Sequence, residues 1–242
     1  MKEFLLKNYT LLTHSVEVIA AFTGVVLLKK YKSKHNRYFI FFLVYVVILE
    51  FIGDYSKFVH PNRSLSFLVG TRIEKNHWLF TSGWSIGAIM FFAFYYRKIL
   101  KTRIFKKIIE LSSYSFLVIS IIYILFNWNR FFYTFFQTIS ILGALVIFLC
   151  AVLYFIETLN SNKILSFYKS LDFYITSAIF IWWLIITPID FYDVYFTYEI
   201  GNPNRDWDFM FLRWQIYLFA NILMYSTFTF ALIWCKPEND EY

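Results

Sequence analysis

Glu50, Asp54 and Lys57 break into the stretch YVVILEFIGDYSKF, Tyr45–Phe58, at the end of a long apolar run. On a helix, Glu50 and Asp54 (i,i+4) and Asp54 and Lys57 (i,i+3) share one face. His14 and Glu17 repeat the i,i+3 spacing in the preceding apolar run, where Thr10 and Thr13 extend the polar side. Carboxylates brought into one apolar layer can share a proton, hold a cation or accept a basic ligand. The imidazole adds a nitrogen donor. His14, Glu17, Glu50 and Asp54 therefore form a mixed N/O set able to bind Zn²⁺, Mn²⁺ or Fe. No HExxH, GxSxG or other nucleophile signature accompanies them. Catalysis is accordingly not the leading expectation, and no cofactor is expected.

The elements that must position these residues follow from composition. The chain is 59% hydrophobic, 24% aromatic and only 16% charged, whereas soluble domains are about half apolar and about a quarter charged. Seven apolar runs stand out, at Tyr9–Leu28, Tyr38–Phe58, Trp78–Tyr96, Ile108–Phe126, Phe132–Ile156, Leu171–Phe191 and Phe211–Cys235. Each approaches the ~20 residues that cross a ~30 Å hydrocarbon layer as a helix. Helices satisfy their own backbone hydrogen bonds in lipid, and the runs lack the alternation of barrel strands. The expected fold is an all-α integral membrane protein, a bundle of seven transmembrane helices forming a single domain over residues 1–242.

Orientation is read from Lys and Arg. The loop KKYKSKHNR (Lys29, Lys30, Lys32, Lys34, Arg37), the loop RKILKTRIFKK (Arg97, Lys98, Lys101, Arg103, Lys106, Lys107), and Lys163, Lys169 and Lys236 put 14 of the 23 basic residues on one side. By the positive-inside rule that side is cytoplasmic, with the N-terminus outside and the C-terminus inside. Lys2 and Lys7 pull weakly the other way. The +7 charge thus reflects loops between spans, and no nucleic-acid partner is expected. Cys150 and Cys235 fall toward cytoplasmic span ends, so a disulfide framework is not expected. MKEFLLKNYT lacks a small-x-small cleavage site and does not read as a cleaved signal. The bilayer is the first partner, and a bacterial inner (plasma) membrane is the expected location.

Helix rise sets depth. His14 lies ~7 Å and Glu17 ~12 Å below the outer start of the first span, and Asp54 ~6 Å and Glu50 ~12 Å below the outer end of the second. A short loop makes these helices antiparallel neighbours, so Glu17 shares a layer with Glu50, and His14 with Asp54. Asp190 near the end of the sixth span and Arg213 at the start of the seventh reach the same outer level. The expectation is one pocket gathering His14, Glu17, Glu50, Asp54, Asp190 and Arg213. Against it stand plainer roles. Lys57 and Arg213 can serve as interfacial anchors, His14 as a structural hydrogen-bonding group, and Glu17 with Glu50 as a clamp between helices. Gly83 to Gly87, GWSIG, reads as a small-xxx-small packing face. Two long outer loops, Val59–His77 and the acidic, aromatic Tyr192–Met210 with Asp193, Glu199, Asp206 and Asp208, are candidate lids. LEFIGDY and IDFYDVY form a faint internal echo.

Known seven-span groups fit poorly. Phe211–Cys235 has no Lys for retinal, unlike microbial rhodopsins. Seven-span zinc hydrolases need a late HxxxH, and no His follows His77. Sugar and PQ-loop transporters need prolines in matching spans, and only Pro188 lies within one. The leading expectation is a receptor- or sensor-like module taking a small polar or cationic ligand from outside. A small-solute or proton-coupled transporter, and an intramembrane metal-dependent enzyme or structural subunit of a membrane complex, are the alternatives.

Overall fold

The computed structural model describes residues 7–161, 166–192 and 207–236. Among these, the apolar runs form seven helices long and apolar enough to cross a membrane. They are α1 (Tyr9–Val26), α2 (Lys34–Gly53, prolonged by a 3₁₀ turn over Asp54–Phe58), α3 (His77–Ile99), α4 (Arg103–Phe126), α5 (Gln137–Leu159), α6 (Leu171–Tyr192) and α7 (Trp207–Trp234). There is no strand among the described residues. Of the Tyr192–Met210 loop, residues 193–206 lie outside the described residues. Large apolar side chains such as Leu11, Phe22, Phe41, Leu125 and Phe230 point outward from the bundle. Exposure on this scale is foreign to a soluble monomer and natural against lipid.

Helix starts differ from the sequence expectation in both directions. α2 and α4 begin four to five residues earlier, at Lys34 and Arg103, because long basic side chains extend a helix into the interface instead of ending it. α5 begins at Gln137, not Phe132. The aromatic residues before it form a separate turn, Trp128–Phe131. There Trp128 meets Phe131 and Phe132 at 5.8 and 5.3 Å, and Phe136 meets Tyr123 of α4 edge-on at 5.2 Å.

Helices α1, α2, α3, α5, α6 and α7 close a ring, each packing on the next, and α7 returns to α1. Helix α4 sits outside, against α3 and α5. Its apolar stretch is 22% buried, whereas that of α6 is 50% buried. The ring therefore has an inside, and α1, α2 and α7 bound one part of it.

Helix α3 is not uniformly α. Thr81–Ala88 winds as a π-helix, a form concentrated where a helix must accommodate a neighbour or a site. The Tyr45 hydroxyl of α2 donates to the Gly83 carbonyl at 3.0 Å. A Cβ on Gly83 would lie 2.6 Å from a Leu49 methyl and 3.0 Å from the Tyr45 oxygen. The GWSIG segment thus lets α2 approach closely. Gly83→Val should destabilise the bundle by about 1–3 kcal/mol through overpacking, read as a fall in thermal midpoint in detergent. An unchanged midpoint would show that α2 and α3 separate at no cost.

The ends of the helices are tied by side chains from other helices. Glu157 of α5 accepts from the backbone N–H groups of Lys101 and Thr102 at 2.6 and 2.8 Å. A carboxylate there satisfies orphan donors at the start of α4. At the same end of the bundle, Lys30 donates to the Leu232 and Ile233 carbonyls at 3.0 and 2.8 Å, and Tyr31 to Leu232 at 2.8 Å. A cation and a hydroxyl thus cap the C-terminus of α7. Cys150 and Cys235 are both free and buried.

Candidate functional site

The opposite end of the ring carries the candidate site. Its frame is the α1–α2 pair, and its rim is the segment after α2. The 3₁₀ turn Asp54–Phe58 follows Gly53 directly. It is held by the α2–α3 loop: Asn76 donates to the Gly53 carbonyl at 2.9 Å, and Trp78 donates to the Tyr55 hydroxyl at 3.1 Å. That hydroxyl lies 2.7 Å from the Ile73 carbonyl, and Arg63 bonds the Lys57 carbonyl. The turn presents Asp54 over Glu50 as a fixed rim. Backbone anchors of this kind position a charged side chain without occupying it.

Within this frame, His14 and Glu17 of α1 and Glu50 of α2 bring ligand-type atoms to within 4.8 Å of one another. His14 Nε2 is 4.0 Å from a Glu50 oxygen and 3.9 Å from an Asp54 oxygen. Both separations are too long for hydrogen bonds. The His14 ring stacks on Phe51, with centroids 5.4 Å apart and planes 12° apart, which fixes the direction of its nitrogens. The side chains of Asp54, Glu50 and His14 are 31%, 27% and 14% exposed, and Glu17 is 4% exposed. Access is therefore graded, from an open rim to a buried floor. Glu17 Oε2 is buried with no hydrogen-bond partner among the described residues. A buried carboxylate oxygen lacking a partner is costly. Tyr225 of α7 and Tyr9 of α1 lie within electrostatic reach of both Glu17 and Glu50.

Lys57 is more than an interfacial anchor. Its ammonium pairs with Asp54 at 2.6 Å. The pair is half-exposed, so its energetic worth is small, but it compensates Asp54, while the basic group in contact with Glu50 among the described residues is His14 at 4.0 Å.

Of the six ionisable groups expected in one pocket, His14, Glu17, Glu50 and Asp54 come together, whereas Asp190 and Arg213 share contacts in a second array around Tyr217. Asp190 does not complete the His14 cluster. It accepts from Ser140 of α5 at 2.5 Å and from the Tyr217 hydroxyl of α7. The Arg213 guanidinium lies over the Tyr217 ring, 4.8 Å from its centroid, in a cation–π contact. Asp190 faces α5 and α7, while Glu50 faces α1.

No protein family, no curated protein and no solved structure matches the chain. The functional reading therefore rests on the chemistry of its own residues.

A third polar array, at the basic end, was not anticipated from sequence. Buried Asp172, in the first turn of α6, accepts from the Tyr95 hydroxyl of α3 at 2.5 Å. Its other oxygen is 3.5 Å from His35 Nε2, and the Ser33 hydroxyl lies 2.6 Å from His35 Nδ1. These are the residue types of a nucleophilic triad. However, Ser33 is buried, which leaves no approach for a substrate, and it sits at the N-cap of α2. The array ties α2, α3 and α6 together. An acid in the first turn of a span, facing a loop histidine, was the only signal for it.

Proposed function

We propose that the chain is a receptor-like membrane module whose pocket between α1, α2 and α7 takes a small cation from the non-cytoplasmic side. The basic loops mark the opposite side as cytoplasmic. The observation that carries this reading is Glu17: a carboxylate 4% exposed, with one oxygen unpartnered, facing Glu50 and His14. In an apolar bundle such a carboxyl is either protonated or paired with a cation, and the graded opening past Asp54 supplies a route for a cation.

Closure toward the basic end favours binding over passage. Along α2, away from Glu50, the ring fills with packed aromatics. Phe42 stacks on Phe91 at 4.2 Å, Phe39 meets Phe228 edge-on at 5.0 Å, and Phe92 is fully enclosed. Asn221, the deep polar group of α7, accepts from Trp182 Nε1 at 2.7 Å and so offers no open polar step. Binding would act on the bundle by drawing α1 toward α2, which meet along their length, and so shift the loops at the basic end.

The test is thermal unfolding of the purified full chain in detergent with a panel of cations, comprising tetramethylammonium, spermidine, and the divalent ions Mg²⁺, Ca²⁺, Mn²⁺ and Zn²⁺. At least one class should raise the midpoint of the wild type by ~5 °C or more, with no effect on a Glu17→Gln, Glu50→Gln double variant. If every cation acts alike on both proteins, or on neither, the cation-binding reading is lost.

A further inference from the structure

We infer that the cation taken at this site is a divalent transition metal ion, held by His14, Glu17 and Glu50. The inference rests on the cation-binding reading above and narrows it to one class.

Three observations converge. The first is donor type. One imidazole nitrogen and two carboxylate oxygens form an N/O set that suits Zn²⁺, Mn²⁺, Fe²⁺ or Co²⁺. A site for Mg²⁺ or Ca²⁺ would be all oxygen, and an ammonium ligand has no use for a neutral imidazole beyond one hydrogen bond. The second is charge. With Asp54 paired to Lys57 at 2.6 Å, the remaining acids are Glu17 and Glu50. Two carboxylates neutralise a dication, whereas a monovalent amine would leave one anion uncompensated in an apolar bundle. The third is geometry. Ligands ~2.0–2.2 Å from a shared ion lie ~3–3.5 Å apart. The three donor atoms here are already within 4.8 Å of one another, so closure requires them to approach by only about 1 Å, a step that a small movement of α1 toward α2 supplies. Glu17, whose Oε2 is buried and unpartnered, contributes a carboxylate oxygen to this group, and Phe51 keeps the His14 ring plane in register.

Asp54 then has a defined lesser part. Its oxygen is 3.9 Å from His14 Nε2 but is ion-paired. It draws the ion in at the rim, and the three deeper ligands hold it.

The experiment loads the full chain in detergent with Zn²⁺ or Co²⁺ alone, removes excess, and measures bound metal per chain and affinity by competition with a chelator. One ion per chain is expected. Affinity should fall at least 30-fold in each of His14→Gln, Glu17→Gln and Glu50→Gln, by less than 10-fold in Asp54→Asn, and not at all in the distant Arg130→Gln. Should the variants fail to fold, X-ray absorption at the zinc edge of the wild type decides the matter. It should show one imidazole among otherwise oxygen ligands. Metal bound equally by all variants, or a zinc environment without imidazole, overturns the inference. Stabilisation by organic cations with no metal bound also overturns it, while leaving the cation-binding reading intact. If neither metal nor organic cation binds, both fall together.

Discussion

Asp172→Ala is expected to destabilise the bundle by about 3–5 kcal/mol, the scale of a broken buried polar pair. The carboxylate is buried, and three elements converge on it: Tyr95 from α3 at 2.5 Å, His35 from the start of α2 at 3.5 Å, and its own helix α6. Removing it strands a fully buried tyrosine hydroxyl, and an unsatisfied buried donor costs about 1–3 kcal/mol by itself. The imidazole loses its carboxylate neighbour as well. Asp172→Asn retains an acceptor for Tyr95 and should lose about half as much. Tyr95→Phe added to Asp172→Ala should recover part of the loss, because removing both partners leaves no orphan. Unfolding from mixed micelles with SDS, followed by far-ultraviolet circular dichroism, gives these values. A loss under ~0.5 kcal/mol in Asp172→Ala would mean that the array does not hold the helices together.

What could be read from the sequence, and what could not, divides along a physical line. Length and hydropathy determine how many helices there are, and helix rise with a short connecting loop determines depth. Glu17 and Glu50, and His14 and Asp54, could therefore be placed in common layers. The loop between α1 and α2 admits only an antiparallel neighbour, which made them partners as well. Lateral position has no comparable signature in a chain apolar all round. Helix rise assigns Asp190 a depth but not a direction, and α6 turns it toward Ser140 and Tyr217. Asp172 was missed for a related reason. Its partner Tyr95 lies 77 residues away, and nothing in the hydropathy of α3 marks that tyrosine. Lys30 was read only as one positive charge among many, because a topology count does not distinguish a lysine facing lipid headgroups from one capping α7.

Glu17→Gln should make the metal-free protein more stable even as it removes ligand binding. In chelator-containing buffer the change replaces a buried carboxylate, one of whose oxygens has no partner, with an amide of the same shape. The amide carries no charge to desolvate and does not repel Glu50. Its NH₂ can donate to the Glu50 carboxylate within the 4.8 Å cluster. Removing an uncompensated buried charge commonly yields about 1–2 kcal/mol, a rise of roughly 2–8 °C for a chain of this length. The comparison variant is Glu110→Gln, whose carboxylate is satisfied by Arg97 at 2.9 Å at the basic end. It should be neutral or slightly destabilising. The two readings of Glu17 give opposite signs. If the glutamate were a structural clamp between α1 and α2, its amide would lower the midpoint. If the fold bears the charge for the sake of a cation, the amide raises it. The sign is measurable with no ligand in hand.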